Sequence, residues 1–194
     1  MTPGTPQRPH HHLFSVQHAA YLDTPLRRFL YRPDRLAERY VNYGSRVLDF
    51  GCGPGFFSRE FARRVGEIGQ VWCVDLQEEM LEILRSKMAA EELLARVRTH
   101  QCRPDTISLP QELHGTFDTA FAIFVVHEVP DPGRLFREIA LLLKPGGRLF
   151  YTEPLLEVSG KEFRESLEIT AGAGFLQTER FFYFVNRAVV LKKA

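Results

Sequence analysis

Residues Val47-Leu48-Asp49-Phe50-Gly51-Cys52-Gly53-Pro54-Gly55-Phe56-Phe57-Ser58 constrain the fold more than any other stretch. The stretch begins as an apolar strand and ends as the start of a helix. Between them, Gly51, Gly53 and Gly55 occupy alternate positions. Glycine reaches positive φ at little cost and has no Cβ, so a ligand can lie directly on such a backbone. A strand, a glycine-rich turn and a helix, in that order, form the first crossover of an open α/β sheet. Ligands bind beyond the carboxyl ends of the strands in such sheets. The stretch therefore reads as a cofactor cradle.

The rest of the chain fits that frame. Strands are expected at 46–50, 70–75, 97–102, 117–126 and 148–152. Helices are expected at 56–65, 77–94, 133–143 and 159–171. The run at 117–126 is almost continuously apolar, as in a strand covered on both faces. Two β-rich runs, 175–184 and 188–191, read as a terminal antiparallel pair. Repeated β-α order predicts an α/β fold: a Rossmann-like, doubly wound, mostly parallel seven-stranded sheet with right-handed crossovers and an antiparallel C-terminal hairpin strand. Ahead of it, residues 1–12 are rich in Pro, Thr, Gly and His and are expected to be a flexible tail. The tail's His10, His11 and His12 read as incidental to it, and no metal site is expected. Residues 13–45 carry apolar positions at spacings of three and four, among them Val16, Ala19, Leu26, Phe29, Leu30, Leu36 and Tyr40. They predict short helices forming an N-terminal lid. Residues 46–194 form the ligand-binding part of what reads as one domain.

Composition removes several function classes. A net charge of +1 over 194 residues gives no electrostatic case for nucleic acid. No apolar run reaches the roughly 18 residues needed to span a bilayer. No signal peptide is evident at the N-terminus, and the three cysteines have no paired spacing. A reduced, cytoplasmic protein is therefore expected, as a monomer or homodimer.

The cradle's spacing narrows the ligand. A dinucleotide site needs G-x-G-x-x-G, whereas this turn reads G-x-G-x-G and is preceded by Asp49. A carboxylate there would repel a pyrophosphate but suits a cation. Asp75 ends the second strand, about 20 residues beyond the turn, where an acidic side chain accepts hydrogen bonds from ribose hydroxyls. Together they imply a phosphate-free, ribose-containing cation. A nucleotide-dependent oxidoreductase is disfavoured on the same spacing.

The segments VLDFGCGPGFFS at 47–58, VWCVDLQEEML at 71–81, FDTAFAIFVVHEVPD at 117–131 and LLLKPGGRLFYTEP at 141–154 occur in one order. In that order the chain resembles the class I S-adenosylmethionine-dependent methyltransferases, in the small-molecule branch that includes quinone-biosynthesis-like enzymes with a methyltransferase type 11 domain. The resemblance implies S-adenosyl-L-methionine as cofactor and S-adenosyl-L-homocysteine as product. It places Asp49 near the methionine ammonium, and Gly51, Cys52 and Gly53 along the methionine part, with Gly55 completing the turn. It places Asp75 on the ribose, with Leu76 and Met80 against the adenine and Ile123 and Phe124 bordering the methionine group. The residue after strand three that meets the adenine amino group stays open between Cys102, Arg103 and Asp105.

Methyl transfer from a sulfonium is an in-line displacement, and alignment of donor and acceptor supplies much of the catalysis. A base is needed only when the acceptor must lose a proton. His127, at the exit of strand four, is the candidate base by residue type. It either plays that role or shapes the pocket, and Glu128 orients it or caps a backbone amide. Glu153 either faces the same pocket or, lying before Pro154, belongs to a turn. In the lid region, Tyr21 or Arg28 is a candidate contact for the cofactor carboxylate or the acceptor. Phe14, Phe56 and Phe57 are candidates for an apolar acceptor wall. No Asn-Pro-Pro-Phe/Tyr segment is present, and no thiols converge outside the sheet, which disfavours adenine-N6, glutamine-amide and arsenite methylation. A small organic or lipid-like acceptor remains as the partner. The alternative is a protein that binds the cofactor without transfer and acts through partner contacts.

Overall fold

A computed structural model describes residues 24–194. The expected tail with His10–His12, and Phe14 and Tyr21 of the expected lid, lie outside the described residues. The described chain opens with two short helices, α1 (Pro25–Tyr31) and α2 (Pro33–Tyr40). Thr24 caps α1 through its side chain, and a proline stands in the first turn of each helix, where its missing N–H costs nothing. Seven strands follow: β1 (Arg46–Phe50), β2 (Gln70–Asp75), β3 (Val97–Gln101), β4 (Phe117–Ile123), β5 (Leu143–Glu153), β6 (Phe175–Tyr183) and β7 (Asn186–Lys193). Helices α3 (Ser58–Val65), α4 (Glu78–Ala90), α5 (Pro132–Leu142) and α6 (Gly160–Gly172) lie between them.

The sheet order is β3-β2-β1-β4-β5-β7-β6. Every pairing from β3 to β5 is parallel, and β7 runs antiparallel to both β5 and β6. The chain winds from β1 outward to β3, then returns to the other side of β1 as β4. The carboxyl ends of β1 and β4 are therefore the topological switch point, where a crevice opens.

Strand alternation sorts the core into two layers. One layer joins Val47, Cys73, Phe121 and Phe150 to α2, α3 and α4 through Tyr40, Phe61 and Leu84. The other joins Leu48, Ala120, Leu149 and Tyr151 to α5 and α6 through Phe136, Ile139 and Phe163. Phe61 stacks on Phe121 with ring centroids 4.1 Å apart, and Tyr151 stacks on Phe163 at 5.3 Å. Both faces are covered, which explains the unbroken apolar reading of β4.

Several boundaries differ from expectation. β4 ends at Ile123 rather than at 126, because Phe124 turns to φ 59° and donates its amide to Thr152 O at 2.9 Å. A single 3₁₀ turn, Val126–Glu128, follows. α4 ends at Ala90 rather than at 94. Glu92 takes φ 58°, Leu93 N donates to Met88 O at 2.8 Å and Glu92 N to Ala89 O at 3.2 Å, a Schellman closure that buries Leu93. The closure uses glutamate where glycine is usual, so the stop has no sequence signal. β5 starts early, with Leu143 paired to Phe117 before the Pro145-Gly146-Gly147 turn interrupts the register. In α1 the apolar positions do not all turn inward: Leu26 and Phe29 are exposed and Leu30 is half-buried, while Arg27 and Tyr31, four residues apart, line the crevice.

Candidate functional site

The crevice is a cavity of about 750 Å³ at the switch point, within the range of small-molecule sites. Its floor is the turn after β1. Gly51, Cys52 and Gly53 line the cavity, whereas Gly55 does not. Gly53 has φ 51°, and a Cβ built on it would meet nothing within 4 Å, so it would project into open space. At Gly55, with φ 86°, an added Cβ would stand 3.0 Å from Leu84 Cγ. Gly53 thus leaves the cradle open to a ligand, while Gly55 lets the turn pack on α4.

Asp75, at the end of β2, faces the cavity from a buried position. Its Oδ2 accepts from Gly53 N at 2.8 Å and its Oδ1 from Gln77 N at 3.0 Å. Burial raises its pKa above the ordinary carboxylate value, while the amides of Gln77, Gly53 and Leu76 hold it back. Leu76 and Met80 continue the wall, followed by Cys102, Arg103 and Pro104. Asp105 lies elsewhere: it is exposed and pairs with Arg134 Nη1 at 3.2 Å. Of the three positions left open after strand three, two therefore reach the cavity.

Asp49 is not on the wall. By strand alternation it lies under the start of α3, where it accepts Ser58 Oγ at 2.5 Å. Complete burial pushes its pKa up to about 7, against the Ser58 hydrogen bond, with a smaller upward push from Asp75. The two wall thiols remain protonated. Burial raises Cys52 well above its usual value, aided by Cys73, and lifts Cys102 to about 11. Neither is poised as a nucleophile.

The far end of the cavity is built by the chain reversal after β4. Ile123, Phe124, Val125, His127, Glu128 and Val129 line it. The φ 59° of Phe124 is a rare conformation for a bulky residue. Tyr31 packs edge-on against its ring at 5.5 Å. The turn aims His127 at the end of β5, where Glu153 is 1% exposed. Glu153 Oε1 accepts the backbone N–H of His127 at 3.0 Å, and Oε2 meets Nδ1 at 2.7 Å. Burial, the largest single influence on His127, disfavours the imidazolium. The Glu153 hydrogen bond and the charges of Glu153, Glu157 and Glu128 outweigh it, so the pKa lies above the ordinary 6.5. Glu128 is itself raised, chiefly by burial. Glu153, not Glu128, is the orienting carboxylate and the cap of the His127 amide. Pro154 does start a turn, but Glu153 is the last residue of the strand and points inward.

Around the mouth stand Arg27, Tyr31, Phe56, Phe57, Glu157 and Asn186. Arg27 lies over the Phe56 ring at 4.5 Å. Arg28, the expected contact, pairs instead with Glu60 Oε1 at 2.6 Å and does not line the cavity. Asn186 links the elements of the rim: its Oδ1 accepts Leu155 N at 3.0 Å and its Nδ2 reaches the Tyr31 hydroxyl at 3.4 Å. Among the described residues, no cluster of His, Cys, Asp or Glu could hold a metal, and no helix is long and apolar enough to cross a membrane.

These residues fit S-adenosylmethionine. An open backbone cradle, a buried carboxylate at the end of β2 and an apolar slot beside it match a ribose-bearing ligand without phosphates. Comparison with known proteins agrees. The profile of a family described as "Methyltransferase domain" matches residues 47–147. The ubiquinone/menaquinone biosynthesis C-methyltransferase of Serratia proteamaculans is 32% identical over 126 residues, covering 63% of this chain and 49% of the relative. The chain therefore spans about half the length of the curated relatives it matches. A crystal structure of a SAM-dependent methyltransferase from Aquifex aeolicus superposes with a TM-score of 0.83 at 26% identity, covering 94% of this chain and all of the other. A methyltransferase-like structure from Methanococcus maripaludis shares the fold at 17% identity, with a TM-score of 0.78 and 98% of each chain covered.

Proposed function

Since the chain belongs to the class I S-adenosylmethionine-dependent methyltransferases, we propose that it methylates a small, largely apolar acceptor bearing an ionisable hydroxyl, of which a quinol is the best-fitting example. The observation that carries the acceptor class is the His127–Glu153 pair at an apolar cavity wall. Glu153 accepts the Nδ1 proton and so leaves Nε2 as the basic nitrogen of a neutral ring. A base in that position serves an acceptor that must lose a proton, and Phe56, Phe57 and Phe124 suit its apolar body. The names of the curated relatives point the same way.

The bound cofactor supplies a methyl group already activated by its sulfonium. The chain's residues bind, orient and deprotonate. Asp75 would hold the ribose hydroxyls, the backbone at Gly51 and Gly53 would admit the methionine part, and Leu76, Met80 and Cys102 would enclose the adenine. Arg27 and Tyr31 of α1 close the mouth. His127 Nε2 takes the acceptor's hydroxyl proton, the bond pair stays on the acceptor, and the enolate-like carbon or oxygen becomes the nucleophile. His127 lines the same cavity as the cradle glycines, which favours transfer over a binding-only role.

The test uses methyl-tritiated S-adenosylmethionine with a short-chain demethylated naphthoquinol, a simple phenol and a primary amine. Label should enter the quinol. Cofactor binding with no label in the quinol would overturn the acceptor assignment.

A further inference from the structure

His127 carries a second carboxylate contact that the role of a base does not explain. Its Nε2, the nitrogen that must meet the acceptor, lies 3.0 Å from Glu157 Oε2 and 4.0 Å from Glu128 Oε1. The two close partners differ in how they are held. The Glu153 side chain is 1% exposed and that of Glu157 is 60% exposed. Glu157 sits in the turn that follows β5. The amides of Glu157 and Val158 both donate to Pro154 O, at 3.2 and 2.9 Å, and Val158 is buried. The backbone of the turn is thus pinned, while the carboxylate can leave by side-chain rotation alone. Both His127 and Glu157 line the cavity, so a carboxylate of this chain occupies the place an acceptor hydroxyl must take.

We propose that Glu157 is a latch on the candidate base: a positioning residue that holds His127 Nε2 at rest and yields it only to an acceptor able to donate a hydrogen bond there. This rests on the reading of His127 as the base. Among the described residues, the charged groups seen to face the ring include Glu153 from the end of β5, Glu157 from the turn after it and Glu128 from the ring's own 3₁₀ turn. With Glu157 in place the ring is an imidazolium between two carboxylates. When Glu157 swings out, the imidazolium loses one of the charges that hold its proton and Nε2 releases that proton to water, leaving a neutral ring with its Nδ1–H on Glu153. The acceptor's O–H then breaks, its proton passes to Nε2, and the pair stays on the acceptor. Afterwards Glu157 recaptures the imidazolium and resets the site. An acceptor whose oxygen is already alkylated cannot donate to Nε2 and does not open the latch.

The decisive measurement is the titration of the His127 Cε1–H resonance in the full chain without cofactor or acceptor, assigned by its loss in His127→Ala. In Glu157→Gln the midpoint should fall by about half a pH unit, the size expected of an exposed ion pair. The acid limb of kcat/KM for the naphthoquinol should move with it, so that the rate there rises about threefold. Glu157→Asp, which keeps the charge, should restore part of the shift. An unmoved midpoint in Glu157→Gln, or an acid-side rate that falls, would overturn the latch. A midpoint that moves while no quinol is methylated supports the latch and removes the acceptor assignment instead.

Discussion

Replacing Gly53 by alanine should separate ligand binding from folding, and the neighbouring Gly55 supplies the control. At Gly53 the added methyl meets nothing within 4 Å, so the folding cost is confined to holding alanine at φ 51°. That conformation costs a non-glycine residue about 1 kcal/mol. For a domain of this size the melting temperature should fall by about 2–4 °C. The same methyl points into the cavity where the cofactor would lie on the backbone, so affinity for S-adenosylhomocysteine should drop at least about tenfold, or ~1.4 kcal/mol. At Gly55 the balance inverts. The φ of 86° carries similar strain, and the new Cβ would press on Leu84 Cγ at 3.0 Å and Met88 Cε at 3.2 Å. Overpacking of that kind adds about 1–3 kcal/mol, so Gly55→Ala should melt well below Gly53→Ala while binding better than it. Thermal unfolding without ligand and calorimetric titration with S-adenosylhomocysteine read the two quantities independently. If Gly53→Ala binds as tightly as the parent, the cofactor does not lie on this turn.

Asp75→Ala should weaken S-adenosylmethionine binding by about 1–3 kcal/mol, through lost ribose contacts and a loosened Gly53 amide; unchanged affinity in calorimetry would misplace the ribose. His127→Ala should lower quinol turnover by about a hundredfold, the scale of general-base catalysis, with cofactor affinity held within about threefold; equal turnover would remove the base. In the parent, kcat/KM should rise with pH through a midpoint above 6.5, because neutral His127 is the active form and its pKa is raised. Asp49 links pH to stability rather than to rate. Its folded pKa is pushed up to about 7, so the folded state binds the extra proton, and its contribution to stability is full below about pH 4 and lost as pH rises through 7. Asp49→Asn, which keeps an acceptor for Ser58, should therefore flatten the pH dependence of urea unfolding between pH 4 and 8; an unaltered slope would show that Asp49 is ionised in the fold.

The strand–turn–helix at 46–65 and the β-α alternation were legible because both rest on local signals: glycine at fixed offsets and runs of apolar residues. The same signals bring Gly51, Gly53, Asp75, Leu76 and Met80 to one wall, since strand ends at a switch point converge whatever the sequence between them. Asp49 shows where spacing stops helping. Two residues before a cradle glycine it looked close to the ligand, but the period of two along β1 turns it toward Ser58 and the first core layer. The acceptor end was less legible for a physical reason. Its geometry depends on Phe124 entering positive φ, a conformation imposed by tertiary contact with Tyr31 and Thr152 rather than by any local preference of phenylalanine. That reversal decides which carboxylate meets His127. Adjacency in sequence favoured Glu128, but a 3₁₀ turn carries neighbouring side chains apart, while the parallel register of β4 and β5 sets Ile123 against Thr152 and so brings Glu153 beside the turn. A sequence shows which residues can do the chemistry, and strand register across the switch point selects which of them meet.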